Sequence, residues 1–149
     1  MTNTVPATKL EENRTKEREA VALVNGLREA ANQRYQTTRT KETTNNTPTS
    51  IWVSDDMPLR SVWEVEVQVC AIASDGSAGA GYRRVGRFRR ASGASVAVGV
   101  VATPIADSED TVAWDVTLAA SGNSVQLTVT GDAALAVNWS AFVQVKEAR

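Results

Sequence analysis

Residues 61–74 read SVWEVEVQVCAIAS, Ser61 to Ser74. Trp63, Val65, Val67 and Val69 alternate with Glu64, Glu66 and Gln68. That is the two-residue period of a β-strand with one dry face and one wet face. Near its end the wet face turns apolar, where Cys70 and Ile72 follow Gln68. The scheme returns in TVAWDVTLAASG, with Val112, Trp114, Val116 and Leu118 inward. It returns again in NSVQLTVTG (Val125, Leu127, Val129) and in LAVNWSAFVQV (Leu135, Val137, Trp139, Ala141, Val143, Val145). Turn signals separate these runs: SDGS, ASG at Ala91, ASGN at Ala120 and GDAA at Gly131. Short strands at this spacing predict an antiparallel β-sandwich over residues 51–149. All four tryptophans fall in it, so it carries the core.

One run breaks the pattern. ASVAVGVVAT, from Ala94, is apolar or small on both faces and reads as a strand covered on both sides. The second cover for Val96, Val98 and Val100, and for Cys70 and Ile72, is either another subunit or central burial within the monomer.

Upstream, the period is helical. Residues 8–36 predict one helix, capped by Thr8 with Glu11 completing a capping box. Its first turns are polar all round. Ala20, Leu23, Val24, Leu27, Ala30 and Ala31 then form a narrow stripe at three- and four-residue spacing. Such a stripe does not hold a lone helix together in water. It needs copies of itself, a docking surface, or the body of its own domain. Residues 37–50, rich in threonine and asparagine, offer no apolar residue to a core and predict an extended linker. The organisation expected is therefore mainly β: an N-terminal segment and helix over 1–36, a linker over 37–50 and a sandwich head over 51–149.

The stretch GYRRVGRFRR holds five arginines between Arg83 and Arg90. As a strand it places Tyr82 and Phe88 on one face and Val85 on the other, so the alternation slips near Gly86. A glycine there implies a β-bulge or a close backbone approach. The arginines fall outward, and a hairpin pairs them with Glu64 and Glu66. Ion pairs among Arg83, Arg84, Arg87, Arg89, Glu64 and Glu66 follow. From Thr49 onward there are eight basic and eleven acidic residues, a net of −3. A nucleic-acid domain shows a basic surplus, so no nucleic-acid partner is expected.

The whole chain of 149 residues has 16 basic and 17 acidic residues. It has no histidine and one cysteine, which removes the usual base near neutral pH, the Cys-His and Ser-His pairs, and any cysteine-based metal frame. The GSAGAGY loop lacks the helix of a phosphate cradle, and DSED, from Asp107, lacks the spacing of a calcium loop. It reads as a solvated acidic turn. Asp115 sits outward on its strand, and Asp55 and Asp56 read as turn formers. No catalytic residue, cofactor or metal is expected, and the chain reads as a non-enzyme. The N-terminus is polar and no apolar run reaches membrane-spanning length, so no membrane partner is expected.

Between Thr47 and Val145 the order TPTSIWVSDDMP, GYRRVGRFRR, AWD, SGN, VTG and NW resembles a small β-domain of tailed-bacteriophage fibre and virion structural proteins. The resemblance implies a non-enzymatic virion component assembled as a homotrimer. The helix stripe would then be a short trimeric coiled coil, and Tyr82, Trp114, Asp115 and Trp139 part of the fold signature. Implied partners are sister copies, another virion protein bound by the N-terminal segment, and a host surface glycan or protein met by the head. A second reading, apart from the resemblance, makes the head a receptor- or glycan-binding adhesin whose contact sites are the loops at Gly76–Gly81, Asp107–Thr111 and Gly131–Ala134. The implied location is the virion surface (capsid, neck or tail), after synthesis in the host cytoplasm.

Overall fold

A computed structural model describes the backbone of residues 7–111 and 113–149, and the side chains of these except Ala7, Leu10 and residues 25–34. The chain divides into two compact units, Met1–Gln33 and Arg34–Arg149. The first carries helix α1, Ala7–Asn32. Thr8 therefore lies inside the helix rather than capping it. The helix also stops four residues before Gln36, where Tyr35 and the β-branched pair Thr37-Thr38 favour a strand. Ala20, Val21, Leu23 and Val24 are exposed on it. Leu27, Ala30 and Ala31 lie outside the described side chains.

The second unit is two antiparallel sheets. Its strands are β1 (Gln33–Thr43), β2 (Thr49–Val53), β3 (Ser61–Ala73), β4 (Gly79–Arg90), β5 (Val96–Ala97), β6 (Ser108–Glu109), β7 (Asp115–Ser121), β8 (Ser124–Thr130) and β9 (Val137–Ala148). The larger sheet runs β1-β9-β3-β4-β5, with β6 also on β4, and the smaller runs β2-β8-β7. Trp63, Val65, Val67 and Val69 on β3, Val116 and Leu118 on β7, Val125, Leu127 and Val129 on β8, and Val137, Trp139, Ala141, Val143 and Val145 on β9 all turn inward and are buried. So are all four tryptophans. This is the mainly β sandwich that the alternation implies. Leu135 lies just before β9 and is half-buried, and Val112 lies outside the described residues. Met57, in the stretch read as a turn, is fully buried.

Two segments differ from the sequence reading. Most of the threonine-rich stretch taken as a linker is extended, but as β1, an edge strand hydrogen-bonded beside β9. Thr43 at its end is buried, and its Oγ1 accepts a hydrogen bond from Trp139 Nε1 at 2.9 Å. A strand can thus join a sheet through its backbone and one hydroxyl, with few apolar side chains. The second difference is ASVAVGVVAT, which is not a continuous strand. Only Val96–Ala97 pairs regularly, against Phe88 and Arg89, and Ala102 makes an isolated bridge to Val85. Gly99, at φ 79°, breaks the extended path between them. Residues 95–110 therefore run as an interrupted strap along the free edge of β4, with Val96, Val98, Val100 and Ile105 exposed.

Candidate functional site: the outer face of the larger sheet

β3 and β4 pair without a register shift from Ser61↔Arg90 to Ile72↔Gly79. No bulge exists at Gly86. Tyr82, Arg84, Gly86 and Phe88 all point inward, as their common parity requires. The glycine serves the other purpose expected of it, a close approach. A Cβ there would lie 2.7 Å from Phe88 Cε2, so the buried ring occupies the space a side chain would need.

The arginines divide between the two faces. Arg83 and Arg87 stand outward, bonded to Glu66 and Glu64: Arg83 Nη2 lies 2.6 Å from Glu66 Oε1, and Arg87 Nε lies 3.1 Å from Glu64 Oε2. Arg89, also outward, makes no ion pair among the described residues. Arg84 departs from the solvent-face reading, because it is inward and buried. Its Nη2 donates to Asp107 Oδ2 at 2.7 Å and its Nε to the Val116 carbonyl at 3.2 Å. The guanidinium also lies 5.6 Å from the centre of the Tyr82 ring.

Asp107 belongs to DSED, which is not a free acidic turn. Asp107 holds Arg84, Glu109 Oε2 accepts from the Tyr82 hydroxyl at 2.8 Å, and Asp110 Oδ2 accepts from the Gly79 amide at 2.9 Å. Three carboxylates thus tie the strap to three points of β4. The hydrogen bond from Arg84 holds the Asp107 carboxyl below its ordinary range, and Asp107 in turn pushes the guanidinium up. Burial, then Glu109, pushes the Tyr82 phenol up. Each of these three carboxylates is thus occupied by a partner on β4.

The outward residues of β9, β3 and β4 fall into register rows: Lys146–Glu64–Arg87, Gln144–Glu66–Val85, Phe142–Gln68–Arg83, Ser140–Cys70–Gly81 and Asn138–Ile72–Gly79. Charged pairs fill one end. At the other end Cys70 and Ile72 stand as a ridge between short neighbours. On the β1 side a trough of about 600 Å³ runs over Asn138 and Ser140, walled by Thr40, Glu42 and Ile72. On the β4 side a trough of about 310 Å³ runs over Gly81, walled by Cys70 and Ile105. Ile72 is 53% exposed, Ile105 59% and Phe142 39%. The smaller sheet's outer face turns Ser50, Thr117, Gln126, Thr128 and Thr130 to solvent, together with Val53, which is 52% exposed beside Gln126.

Of the residues grouped by sequence as covered strand surface, Cys70 and Ile72 share this ridge. Val96 does not belong to it, since Val96 pairs Arg89 beside Val62, eight residues (about 26 Å) back along β3. The predicted contact loops do converge. The Asp110 amide donates to the Gly79 carbonyl at 3.1 Å and the Ser74 amide to the Ala136 carbonyl at 2.8 Å, gathering all three at one end of the sandwich. Asp115 is exposed on β7 and caps the Val116 amide at 2.8 Å. Among the described residues no cluster of acidic or cysteine side chains could hold a metal ion.

No family model matches the sequence, and no curated protein matches it. Among solved structures, tailspike protein gp49 of Acinetobacter baumannii bacteriophage Fri1, a capsular polysaccharide depolymerase, is similar over 80% of this chain and 20% of its own, at 13% identity and a TM-score of 0.42. The chain spans about a fifth of that tailspike's length.

Proposed function

We propose that this protein is a structural component of a tailed-phage virion: a short homotrimeric fibre, spike or decoration protein. Its N-terminal segment attaches to another virion protein on the capsid, neck or tail, its helix joins those of two sister copies, and its β-head faces outward. The motif order between Thr47 and Val145 supports this reading. The observation that carries it is the apolar surface left uncovered within each unit: Leu23 and Val24 on the helix, and Ile72 and Phe142 on the larger sheet. Isolated soluble domains expose such residues singly, whereas grouped ones mark contact surfaces. Three copies in one particle also give avidity to any weak site on the head. Mass measurement of the full chain in solution tests the reading. Three copies at micromolar concentration are expected, and a stable monomer overturns it.

A second reading makes the head a receptor- or glycan-binding adhesin. The convergence of loops 76–81, 107–111 and 131–134 at one end of the sandwich favours it. Binding of purified protein to host cells, lost on replacing loop 131–134, separates adhesion from decoration alone. Nucleic acid is a weaker partner for the Arg83–Arg90 strand, since Arg83, Arg84 and Arg87 already hold carboxylates within the chain.

A further inference from the structure

We propose that the strap is a latch over a strand-acceptor edge: residues 96–110 lift off β4 while the sandwich stays folded, and the edge they uncover takes an extended acidic segment of another chain. The strap buries little. From 96 to 110 only Val101 and Glu109 are even half-buried, and Val101 is its one apolar side chain packed against the core. What holds it is polar. The amides of Val98, Ala102 and Asp110 donate to the carbonyls of Arg87, Val85 and Gly79 at 2.7, 2.8 and 3.1 Å. The carboxylates of Asp107, Glu109 and Asp110 hold the Arg84 guanidinium, the Tyr82 hydroxyl and the Gly79 amide. A segment with exposed hydrogen bonds and little apolar burial opens at a cost well below that of global unfolding. Its two ends stay fixed when it lifts. The Ser95 amide donates to the Gly122 carbonyl and its hydroxyl to the Ser124 carbonyl, each at 2.8 Å, and Trp114 at the far end is buried.

The edge beneath suits an incoming strand. β4 keeps one register with β3 over its twelve residues, so lifting the strap leaves the outer backbone groups of Gly79, Val85 and Arg87 unpaired. Such a row is a template for another strand. The strap itself fills it incompletely. Ser108 pairs Gly81 and Ala102 pairs Val85, so residues 103–107 arch over residues 82–84, and Pro104 has no amide to give. Within that gap the Arg83 carbonyl accepts from Arg84 Nη1 at 3.2 Å. Charge selects the occupant. A second β4 is disfavoured, because an antiparallel pair centred on Val85 sets Arg83 against Arg87. A segment carrying carboxylates instead meets the three donors that Asp107, Glu109 and Asp110 satisfy in the closed state.

Hydrogen exchange of the full-length protein tests the latch. The Val98, Ala102 and Asp110 amides are expected to exchange together, roughly a hundredfold faster than the β3 amides. Val143→Ala, in the core of β9 and two strands from β4, should speed the β3 amides and leave those three unchanged. Asp107→Asn should speed all three about tenfold. A strap that exchanges no faster than β3, or that speeds up in Val143→Ala, opens only with the whole head and overturns the latch. Acceleration of Asp110 alone in Asp107→Asn overturns it too, since residues 96–110 are then not one unit. A fluorescent peptide of residues 96–110 is the probe for the acceptor edge. The closed strap leaves it only the open fraction to bind, so it should bind the Asp107→Asn chain about tenfold more tightly than wild type. Equal binding to both chains, or binding to neither, overturns the acceptor edge. None of these readouts depends on how many copies assemble, so their failure leaves the proposed assembly standing.

Discussion

Gly86→Ala is the sharpest probe of how the head is packed. The new methyl would sit 2.7 Å from Phe88 Cε2, 2.8 Å from Cζ and 3.3 Å from Leu118 Cδ2. Carbon atoms rest at about 3.5–4.0 Å, so the ring has to give way by close to an ångström. Phe88 is fully buried among its neighbours in the core. Overpacking of this kind costs about 1–3 kcal/mol. The opposing effect is entropic: alanine restricts the unfolded chain and returns about 0.4–1 kcal/mol. Gly86 has no positive φ, so backbone strain adds nothing. The net loss expected is about 1–2 kcal/mol. For a unit of this size that lowers the melting temperature by about 4–8 °C. Thermal unfolding by circular dichroism measures it, and a double-mutant cycle with Phe88→Leu isolates its cause. With the ring removed, Gly86→Ala should be neutral or stabilising. The packing argument fails if the single variant melts higher than wild type, or if it costs the same in both backgrounds.

Two further outcomes follow from the polar ties. Arg84→Met leaves Asp107 without its partner, and chemical denaturation should show a loss of about 2–3 kcal/mol, below the cost for a fully buried pair because the Asp107 side chain keeps 29% of its exposure. Asp107 has a depressed folded pKa, so its contribution is present above its ordinary value of 3.8 and is lost as pH falls through the lower folded value. Unfolding curves between pH 7 and pH 2 should therefore lose part of their acid dependence in Asp107→Asn. The buried indoles give a matched comparison. Trp139 Nε1 donates to Thr43, whereas Trp114 Nε1 has no partner among the described residues. Trp139→Phe should cost about 1 kcal/mol more than Trp114→Phe by the same denaturation assay, since it alone leaves a buried hydroxyl short of its bond.

The alternation in residues 61–74, 111–122, 123–131 and 135–145 was enough to determine an antiparallel sandwich and its inward residues. A period of two leaves each side chain only one face to occupy once water is excluded from the other. That parity also held the answer for Arg84, which shares its face with Tyr82 and Phe88. The charge of an arginine weighed against an inward position until Asp107, 23 residues away, supplied the compensation. Asp107, Glu109 and Asp110 were visible only as an acidic run. That they tie a strap to β4 depends on a fold-back that no local pattern encodes. β1 was hidden for a related reason: apart from Tyr35, which packs on Trp52 with ring centroids 6.3 Å apart and falls within the stretch read as helix, it is held by backbone hydrogen bonds and the Thr43–Trp139 contact, neither of which leaves an apolar signature. Sequence alone determined which residues alternate between core and solvent, because that is a local property of the backbone. Tertiary structure alone decided which outward residues lie side by side, because register between strands distant in the chain set the Cys70–Ile72 ridge between its two troughs.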